Sequence, residues 1–145
     1  MYDYPDDVVN RFYSLAAINK MNYIISLLNE NGYDVDIYSL SNSKESTFKF
    51  SREKKVEIGR NILYLTPTLG TSCKIGKALR IILSYCWLMM KILCNARTND
   101  YILIYHTLEG IVPLSIVKRL KKLRYVLEVE EIYSEMPNSN GSNKK

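Results

Sequence analysis

His106 is the only histidine in this chain of 145 residues, and it directly follows the uncharged run at residues 101–105. A short apolar run of this kind predicts a strand that is covered on both faces, as in a parallel sheet. In open α/β sheets, ligands bind in the loops at the carboxyl ends of the strands. An imidazole at that place can form a hydrogen bond with a ligand hydroxyl or stabilise developing negative charge. The alternative is a histidine whose nitrogens are satisfied by local backbone groups.

Two adjacent carboxylates, Glu130 and Glu131, follow the last predicted strand of the chain. A carboxylate at this place can accept a hydrogen bond from a substrate hydroxyl, or remove its proton as a general base. The alternative is an exposed loop carboxylate, or one that pairs with Arg11. The two glutamates are therefore candidates for hydrogen bonding to a substrate or for a general base, beside His106 as the candidate for charge stabilisation.

Asn10 and Arg11 open the first predicted helix, and the amino terminus of a helix favours an anion. The two residues are therefore candidates for substrate binding. The sequence around them has none of the glycines that let a phosphate approach the backbone closely. The alternative for Arg11 is an ordinary surface arginine.

These candidate residues must be positioned by helices and strands that follow one another along the chain. Apolar residues at i, i+3, i+4 and i+7 predict the first helix, and Gly32 is placed to end it in a left-handed cap. Short runs of strand-forming residues predict the strands. The helices are predicted at 12–31, 74–96 and 110–123, the strands at 35–40, 62–65, 101–105 and 125–129, and a small surface hairpin at 47–50 and 56–58.

This order predicts an α/β fold, with a Rossmann-like, mostly parallel sheet that has helices on both faces. A doubly wound sheet needs a central first strand before the first helix. Only residues 1–4 stand in that place, so we expect the central first strand to be short or missing. We expect one incomplete domain over 1–135, and a disordered tail over 136–145, where Asn, Ser, Gly and Lys dominate.

The net charge of +5 favours anionic partners but does not choose among them. No helix-turn-helix, zinc or RNA-recognition signature is present, so we expect no nucleic-acid partner. No phosphate-binding loop of the GxxxxGK[ST] type occurs, which excludes that class of nucleotide hydrolase. Three cysteines without a CxxC spacing indicate reduced thiols in a cytoplasmic protein rather than a metal site, and the acidic start of the chain is unlike a signal peptide.

The predicted helix at 74–96 has a broad apolar surface, which we expect to pack on a sheet. Its longest nearly apolar run, 81–90, is too short to span a bilayer, which needs about 20 such residues. We expect Trp87 and its apolar neighbours to form core or inter-domain packing, and Cys86 and Cys94 to be buried thiols. Basic residues lie on this helix and at the end of the helix predicted at 110–123: Lys74, Lys77, Arg80 and the cluster at 118–124. They could bind anionic lipid, or they could form an ordinary solvated surface.

Four segments together resemble a known family. They are the Tyr-Pro-Asp-Asp loop at 4–7, the helix that follows Arg11, the Tyr-His pair at 105–106, and the acidic segment at 126–135. Together they resemble the amino-terminal domain of GT-B glycosyltransferases of the family-4-like group, over nearly all of the chain up to about residue 135. The resemblance implies that this domain holds the acceptor, that a second domain holds the nucleotide sugar, and that no metal or other cofactor is needed.

The resemblance also implies roles for the candidate residues. His106 would face the donor sugar as a catalytic residue, Glu131 would be the catalytic carboxylate, and Asn10, Arg11 and Glu130 would bind substrate. The chain is then expected to be a fragment of an enzyme of polysaccharide biosynthesis, inactive alone, which transfers a sugar from a nucleotide sugar to a glycan or lipid-linked acceptor. We expect it in the cytoplasm, peripheral to the inner face of the membrane. The alternative is a non-catalytic module that binds a nucleotide or a membrane surface.

Overall fold

The computed structural model describes residues 9–12, 14–105 and 111–128. The chain divides into two compact units, 1–95 and 96–145, which are described separately below. The first unit contains α1 (Leu15–Glu30), β1 (Asp36–Ser39), β2 (Lys49–Ser51), β3 (Lys54–Ile58), β4 (Asn61–Leu65), β5 (Thr68–Gly70) and α2 (Lys74–Asn95). The second unit contains β6 (Tyr101–Tyr105), α3 (Ile111–Lys121) and β7 (Arg124–Glu128).

Helix α1 begins and ends at residues that suit its termini. The hydroxyl of Ser14 caps the helix by accepting a hydrogen bond from the backbone N–H of Ala17 at 3.4 Å. Gly32 follows the carboxyl end with a φ of +85°, a backbone conformation that favours glycine. The predicted left-handed glycine is therefore confirmed, and it turns the chain directly into β1.

The core of the first unit lies between α1 and the sheet with strand order β1–β4–β3. Strand β1 pairs with β4 in parallel, and β3 pairs with β4 in the antiparallel direction. Alternate residues of β4 point into the core, and its side chains Leu63 and Leu65 are fully buried there. They pack with Ile25 of α1 and Ile37 of β1.

The remaining strands of the first unit form a separate pair. Strand β2 pairs with β5 in the antiparallel direction, and all three residues of β5 are buried. A Cβ on Gly70 would lie 2.6 Å from the carbonyl oxygen of Thr47, so the close approach of these two backbone segments requires glycine. Helix α2 packs against β5.

The second unit is one β–α–β unit. Strands β6 and β7 pair in parallel from Tyr101 opposite Arg124 to Tyr105 opposite Glu128. The buried side chains here are Ile104, Leu114, Val117 and Leu123. The hydroxyl of Tyr125 donates to the carbonyl of Leu114 at 3.1 Å, and burial raises the pKa of this phenol.

The predicted Rossmann-like, mostly parallel sheet is wrong. The described strands form one mixed sheet of three strands and two pairs, and the two parallel pairs belong to different units. Gly59, with a φ of +61°, allows a tight turn after β3, so β3 folds back on β4. The predicted hairpin of 47–50 with 56–58 is therefore wrong as well, because β2 pairs with β5 instead. Residues 1–4, which stand in the place of the short or missing first strand, and the predicted tail at 136–145 lie outside the described residues.

Candidate functional site

The structure describes two of the five predicted site residues. Asn10 is exposed, whereas Arg11 is only 3% exposed. The idea that Arg11 is an ordinary surface arginine is therefore wrong. His106, Glu130 and Glu131 lie outside the described residues, and their roles remain predictions.

The guanidinium of Arg11 joins the ends of two parallel strands. Its Nη1 donates to the carbonyl of Ser41 at 2.7 Å, and its Nη2 donates to the carbonyl of Thr66 at 3.0 Å. Ser41 lies just beyond β1, and Thr66 directly follows β4. The backbone of this segment is fixed too, since Phe12 donates its N–H to the carbonyl of Asn42 at 2.8 Å. Arg11 thus holds the amino-terminal segment against the carboxyl ends of β1 and β4.

Small hydroxyl side chains are buried around Arg11. We call this set, together with Arg11, the polar corner; its other members are Ser39, Ser41, Ser43, Thr66, Thr68 and Thr71. Several of them hold loop backbone in place: Thr68 Oγ1 accepts from the N–H of Ser43 at 3.1 Å, and Ser43 Oγ accepts from the N–H of Glu45 at 3.0 Å. The Oγ of Ser41 is buried without a hydrogen-bond partner. The sequence signal for this corner was a set of hydroxyl residues just after two strands: Ser41 and Ser43 after β1, and Thr66 and Thr68 after β4. The sequence analysis gave these residues no role.

A cleft of about 410 Å³ lies beside Arg11. We call it the basic cleft; it is lined by Val9, Arg11 and the segment Lys49, Phe50, Ser51, Arg52, Glu53 and Lys54. Four of these side chains are basic and one is acidic. The cleft is therefore suited to an anionic group, such as a phosphate or a carboxylate.

The single acidic residue of the basic cleft is bound to α2. Glu53 Oε2 accepts from Nε1 of Trp87 at 2.6 Å, and Glu53 Oε1 accepts from Nζ of Lys91 at 2.7 Å. The hydrogen bonds from Lys91 and then Trp87 lower the pKa of Glu53. The ring of Trp87 also meets Tyr38 edge to face, with centroids 6.3 Å apart. The charge of Glu53 is thus largely compensated by α2 rather than by the cations of the cleft.

A second pocket, of about 290 Å³, lies against α2. It is mainly apolar and is lined by Phe50, Pro67, Thr68, Leu69, Arg80, Leu83, Cys86, Trp87 and Met90. The Nη1 of Arg80 is directed to the carbonyls of Ser43 and Leu69, at 3.1 and 3.5 Å. Arg80 therefore connects α2 to the polar corner.

Two of the three thiols do not occupy the predicted environment. Cys86 and Cys94 are exposed, so the prediction that they are buried is wrong. Cys73, just before α2, has a hydroxyl–thiol contact with Thr71 Oγ1 at 3.4 Å, and its Sγ accepts from the N–H of Gly76 at 3.2 Å. These two interactions, in that order of size, lower the pKa of the Cys73 thiol. The thiolate, which is the nucleophilic form, is favoured there.

The basic residues at the end of α3 are partly engaged within the second unit. Lys121 donates to the carbonyl of Ala96 at 2.8 Å, and Lys118 lies over the ring of Tyr125 at 5.7 Å. Arg124 donates to the hydroxyl of Tyr101 at 2.6 Å. These contacts indicate that the basic residues at and after the end of α3 stabilise the second unit itself.

No family model, no curated protein and no solved structure matches this chain. Within the described ranges, no group of three or more His, Cys, Asp or Glu side chains is placed to hold a metal ion. Among the described helices, α2 alone is long and apolar enough to cross a membrane, judged by length and composition.

Proposed function

We propose that this chain is the acceptor-side domain of an enzyme that transfers a sugar from a nucleotide sugar to a glycan or lipid-linked acceptor. The observation that carries the proposal is the basic cleft beside the carboxyl ends of the parallel strands β1 and β4. Loops at the carboxyl ends of parallel strands are the usual ligand sites of α/β units. The resemblance assigns Asn10 and Arg11 to substrate binding. Arg11 lines this cleft, and the exposed Asn10 stands in the chain between two lining residues, Val9 and Arg11.

The two residues have different tasks in this proposal. Both terminal nitrogens of Arg11 bind backbone carbonyls, so Arg11 positions the segment rather than holding the acceptor by itself. Asn10 is exposed and is the residue that contacts the acceptor. Lys49, Arg52 and Lys54 attract the phosphate groups of a lipid-linked acceptor.

In the reaction, an acceptor hydroxyl attacks the anomeric carbon and loses its proton to a carboxylate. The bond from that carbon to the nucleoside diphosphate breaks as the new glycosidic bond forms. The resemblance assigns the carboxylate to Glu131, and assigns to His106 a hydrogen bond to the sugar or the departing phosphate. The donor is held by a second domain, so the chain alone is inactive, and the reaction belongs in the cytoplasm.

A binding titration of the full chain tests the proposal. The ligands are a sugar carried on a short prenyl diphosphate, the same sugar in free form, and a nucleotide sugar. We expect the first to bind best, and the double variant Lys49→Ala/Arg52→Ala to lower its affinity by at least about tenfold, as expected for lost charged hydrogen bonds. Lys55→Ala is the matched control, because Lys55 neighbours Lys54 on β3 but does not line the basic cleft. Equal losses in both variants, or no binding of the prenyl-linked sugar, would contradict the proposal.

The second candidate function is a non-catalytic module that binds a nucleotide or a membrane surface. Preferential binding of the nucleotide, with no gain from an acceptor, would favour the nucleotide form of this module. The membrane form draws on a different observation, the exposed apolar face of α2.

A further inference from the structure

All three phenylalanines of this chain are exposed, and each lies in or next to a segment that lines the basic cleft. Phe12, Phe48 and Phe50 are 51%, 83% and 59% exposed, whereas isoleucine and leucine side chains form the core of the first unit. Phe50 lines the basic cleft, Phe48 stands two residues before it, and Phe12 directly follows Arg11, another lining residue. Aromatic side chains gain much from burial, so three exposed rings at one place indicate a contact surface.

Basic side chains alternate with these rings along the segment 48–55, which contains four basic residues and one acidic residue. Lys49 stands between two of the phenylalanines, and Arg52 follows in the turn from β2 to β3. Both residues are exposed, and neither forms an ion pair with a carboxylate among the described residues. The acidic residue, Glu53, is bound by Trp87 and Lys91 instead. Lys49 and Arg52 are therefore available to an external anion.

The rings and the cations are arranged as a chain of nucleotides requires. Phe48 directly precedes β2, and Phe50 is the central residue of that strand. Two positions of an extended chain span about 6.8 Å, so a ligand strand that contacts one ring can reach the other. In single-stranded nucleic acid the bases can turn away from each other and stack on aromatic side chains, while the phosphates contact basic residues.

The mixing of rings and charges separates this surface from the two nearest alternatives. Helices that lie in a membrane interface keep a continuous apolar face apart from their charged face. Here Lys49 stands between Phe48 and Phe50, so burial of both rings in a bilayer would draw its charge towards the hydrocarbon. A nucleic-acid duplex fits less well too, because its bases are stacked on one another and cannot lie on the rings.

We propose that the basic cleft, together with Phe48 and Phe50, binds single-stranded nucleic acid. The phosphates contact Lys49 and Arg52, and two bases stack on the two rings. This binding goes beyond sugar transfer and does not depend on it. We expected no nucleic-acid partner from the sequence, because the known recognition signatures are absent. The exposure of all three phenylalanines, which carries the proposal, is visible only in the folded chain.

Fluorescence anisotropy of the full chain tests the proposal. The probes are labelled oligouridine and oligodeoxythymidine of about 12 nucleotides, and a duplex of the first with its complement. We expect the single strands to bind more tightly than the duplex, and the relative affinity of the two strands distinguishes RNA from DNA as the partner. Phe48→Ala/Phe50→Ala should weaken binding at least roughly 20-fold, because two stacking contacts are lost. Lys49→Ala/Arg52→Ala should instead reduce the slope of log affinity against log salt concentration by about 1.4, because two phosphate contacts are lost.

Phe48→Leu/Phe50→Leu separates stacking from apolar contact. Leucine keeps an apolar surface but has no aromatic face, so this variant should lose most of its affinity for the single strand. It should keep its affinity for the prenyl-linked sugar, which uses the cations but no ring, so the two proposals can fail independently. Tyr23→Ala/Tyr33→Ala is the control, because it removes two exposed rings that do not line the basic cleft, and it should bind like the original chain.

Three results would overturn the proposal. Equal affinity for the single strands and the duplex would show that charge alone binds them. Undiminished binding of the strand by Phe48→Leu/Phe50→Leu would exclude stacking on the rings. Binding to vesicles that contain phosphatidylglycerol, without binding to either strand, would make the partner of this surface a lipid.

Discussion

The basic cleft and the exposed apolar side of α2 lie in the same unit and differ in the kind of side chain that they expose. We call that side the outward face; its members are Ile75, Leu79, Ile82, Leu83, Cys86, Met90 and Cys94. The cleft gathers Arg11, Lys49, Arg52 and Lys54 around an open space, whereas the outward face exposes a continuous apolar strip without a charge. The opposite side of α2, which we call the inward side, contacts the cleft. Trp87 and Lys91 on this side bind Glu53 at the edge of the cleft. One helix therefore supports the cleft with one side and exposes apolar side chains on the other.

The two sides of α2 should respond differently to substitution. The inward side should determine stability and the shape of the cleft, because its side chains are buried and bind Glu53. The outward face should contribute little to stability, because its side chains are exposed.

The largest expected effect follows from Trp87→Ala. Trp87 is 6% exposed and donates to Glu53, and removal of a buried tryptophan costs about 3–5 kcal/mol of unfolding free energy. Met90→Ala, three residues later on the outward face, should cost less than about 0.5 kcal/mol. Urea denaturation followed by circular dichroism measures both, because Trp87 is the only tryptophan and its fluorescence is lost in the variant. Similar losses of unfolding free energy in the two variants would show that the two sides of α2 contribute equally to stability.

The next effect concerns the polar corner. Arg11→Ala removes both donors from the carbonyls of Ser41 and Thr66 and should destabilise the chain by roughly 2–4 kcal/mol, since hydrogen bonds to a charged group are strong. Arg60→Ala is the control, because Arg60 forms an exposed ion pair with Asp34, which is worth at most about 1 kcal/mol. The ratio of the two losses of unfolding free energy, measured by the same urea titration, shows how much Arg11 contributes to the stability of the polar corner. A larger loss in Arg60→Ala would refute the role given to Arg11.

A smaller effect should appear as a dependence on pH. The folded chain lowers the pKa of Glu53 below its ordinary value of 4.5, chiefly through Lys91 and Trp87. The contribution of Glu53 to stability is therefore complete above the unfolded pKa and is lost as the pH falls through the folded pKa. Because the side chain is 40% exposed, this contribution should not exceed about 1 kcal/mol.

Glu53→Gln isolates this contribution. The difference in unfolding free energy between the original chain and the variant should shrink as the pH is lowered from neutral to below the folded pKa of Glu53. A difference that stays constant over that range would show that the charge of Glu53 does not stabilise the contact with α2. Glu57→Gln, which changes an exposed carboxylate on β3, controls for general charge effects.

The smallest effect is a difference in rate rather than stability. The lowered pKa of Cys73 should make its thiol the fastest of the three to react with iodoacetamide near neutral pH. Cys86 and Cys94 are also exposed and serve as references within the same molecule. Thr71→Val removes the hydroxyl contact and should slow the reaction at Cys73 severalfold, while leaving the two references unchanged. Peptide mass spectrometry after timed labelling measures all three rates.

Much of the element order could be predicted from the sequence. Periodicity and terminal residues placed α1, β1, β4, α2, β6, α3 and β7 to within a few residues, because those signals are local. The strand pairing could not be predicted in this way. It depends on the positive φ of Gly59, which folds β3 onto β4. It also depends on the short strand β5, which pairs with β2 and lies in a segment for which no strand was predicted.

The burial of Arg11 in the polar corner could not be predicted from local sequence patterns, for a physical reason. The partners of Arg11 are backbone carbonyls 30 and 55 residues away, and a carbonyl has no sequence signature. Charged side chains are almost never fully buried unless they are paired, so a surface arginine was the natural expectation. The exposure of Cys86 and Cys94 was missed because the broad apolar surface of this helix was expected to pack on a sheet.

The proposal that the basic cleft is an acceptor site is best tested by a chemical-shift titration of the isotope-labelled chain with a sugar on a short prenyl diphosphate. We predict that the amide signals of Asn10 and of residues 49–54 move together with one binding constant. Signals of the exposed side of α1, such as those of Tyr23 and Leu27, should stay in place. Saturable shifts confined to other parts of the chain, or no shifts at all, would contradict the assignment of the basic cleft as an acceptor site.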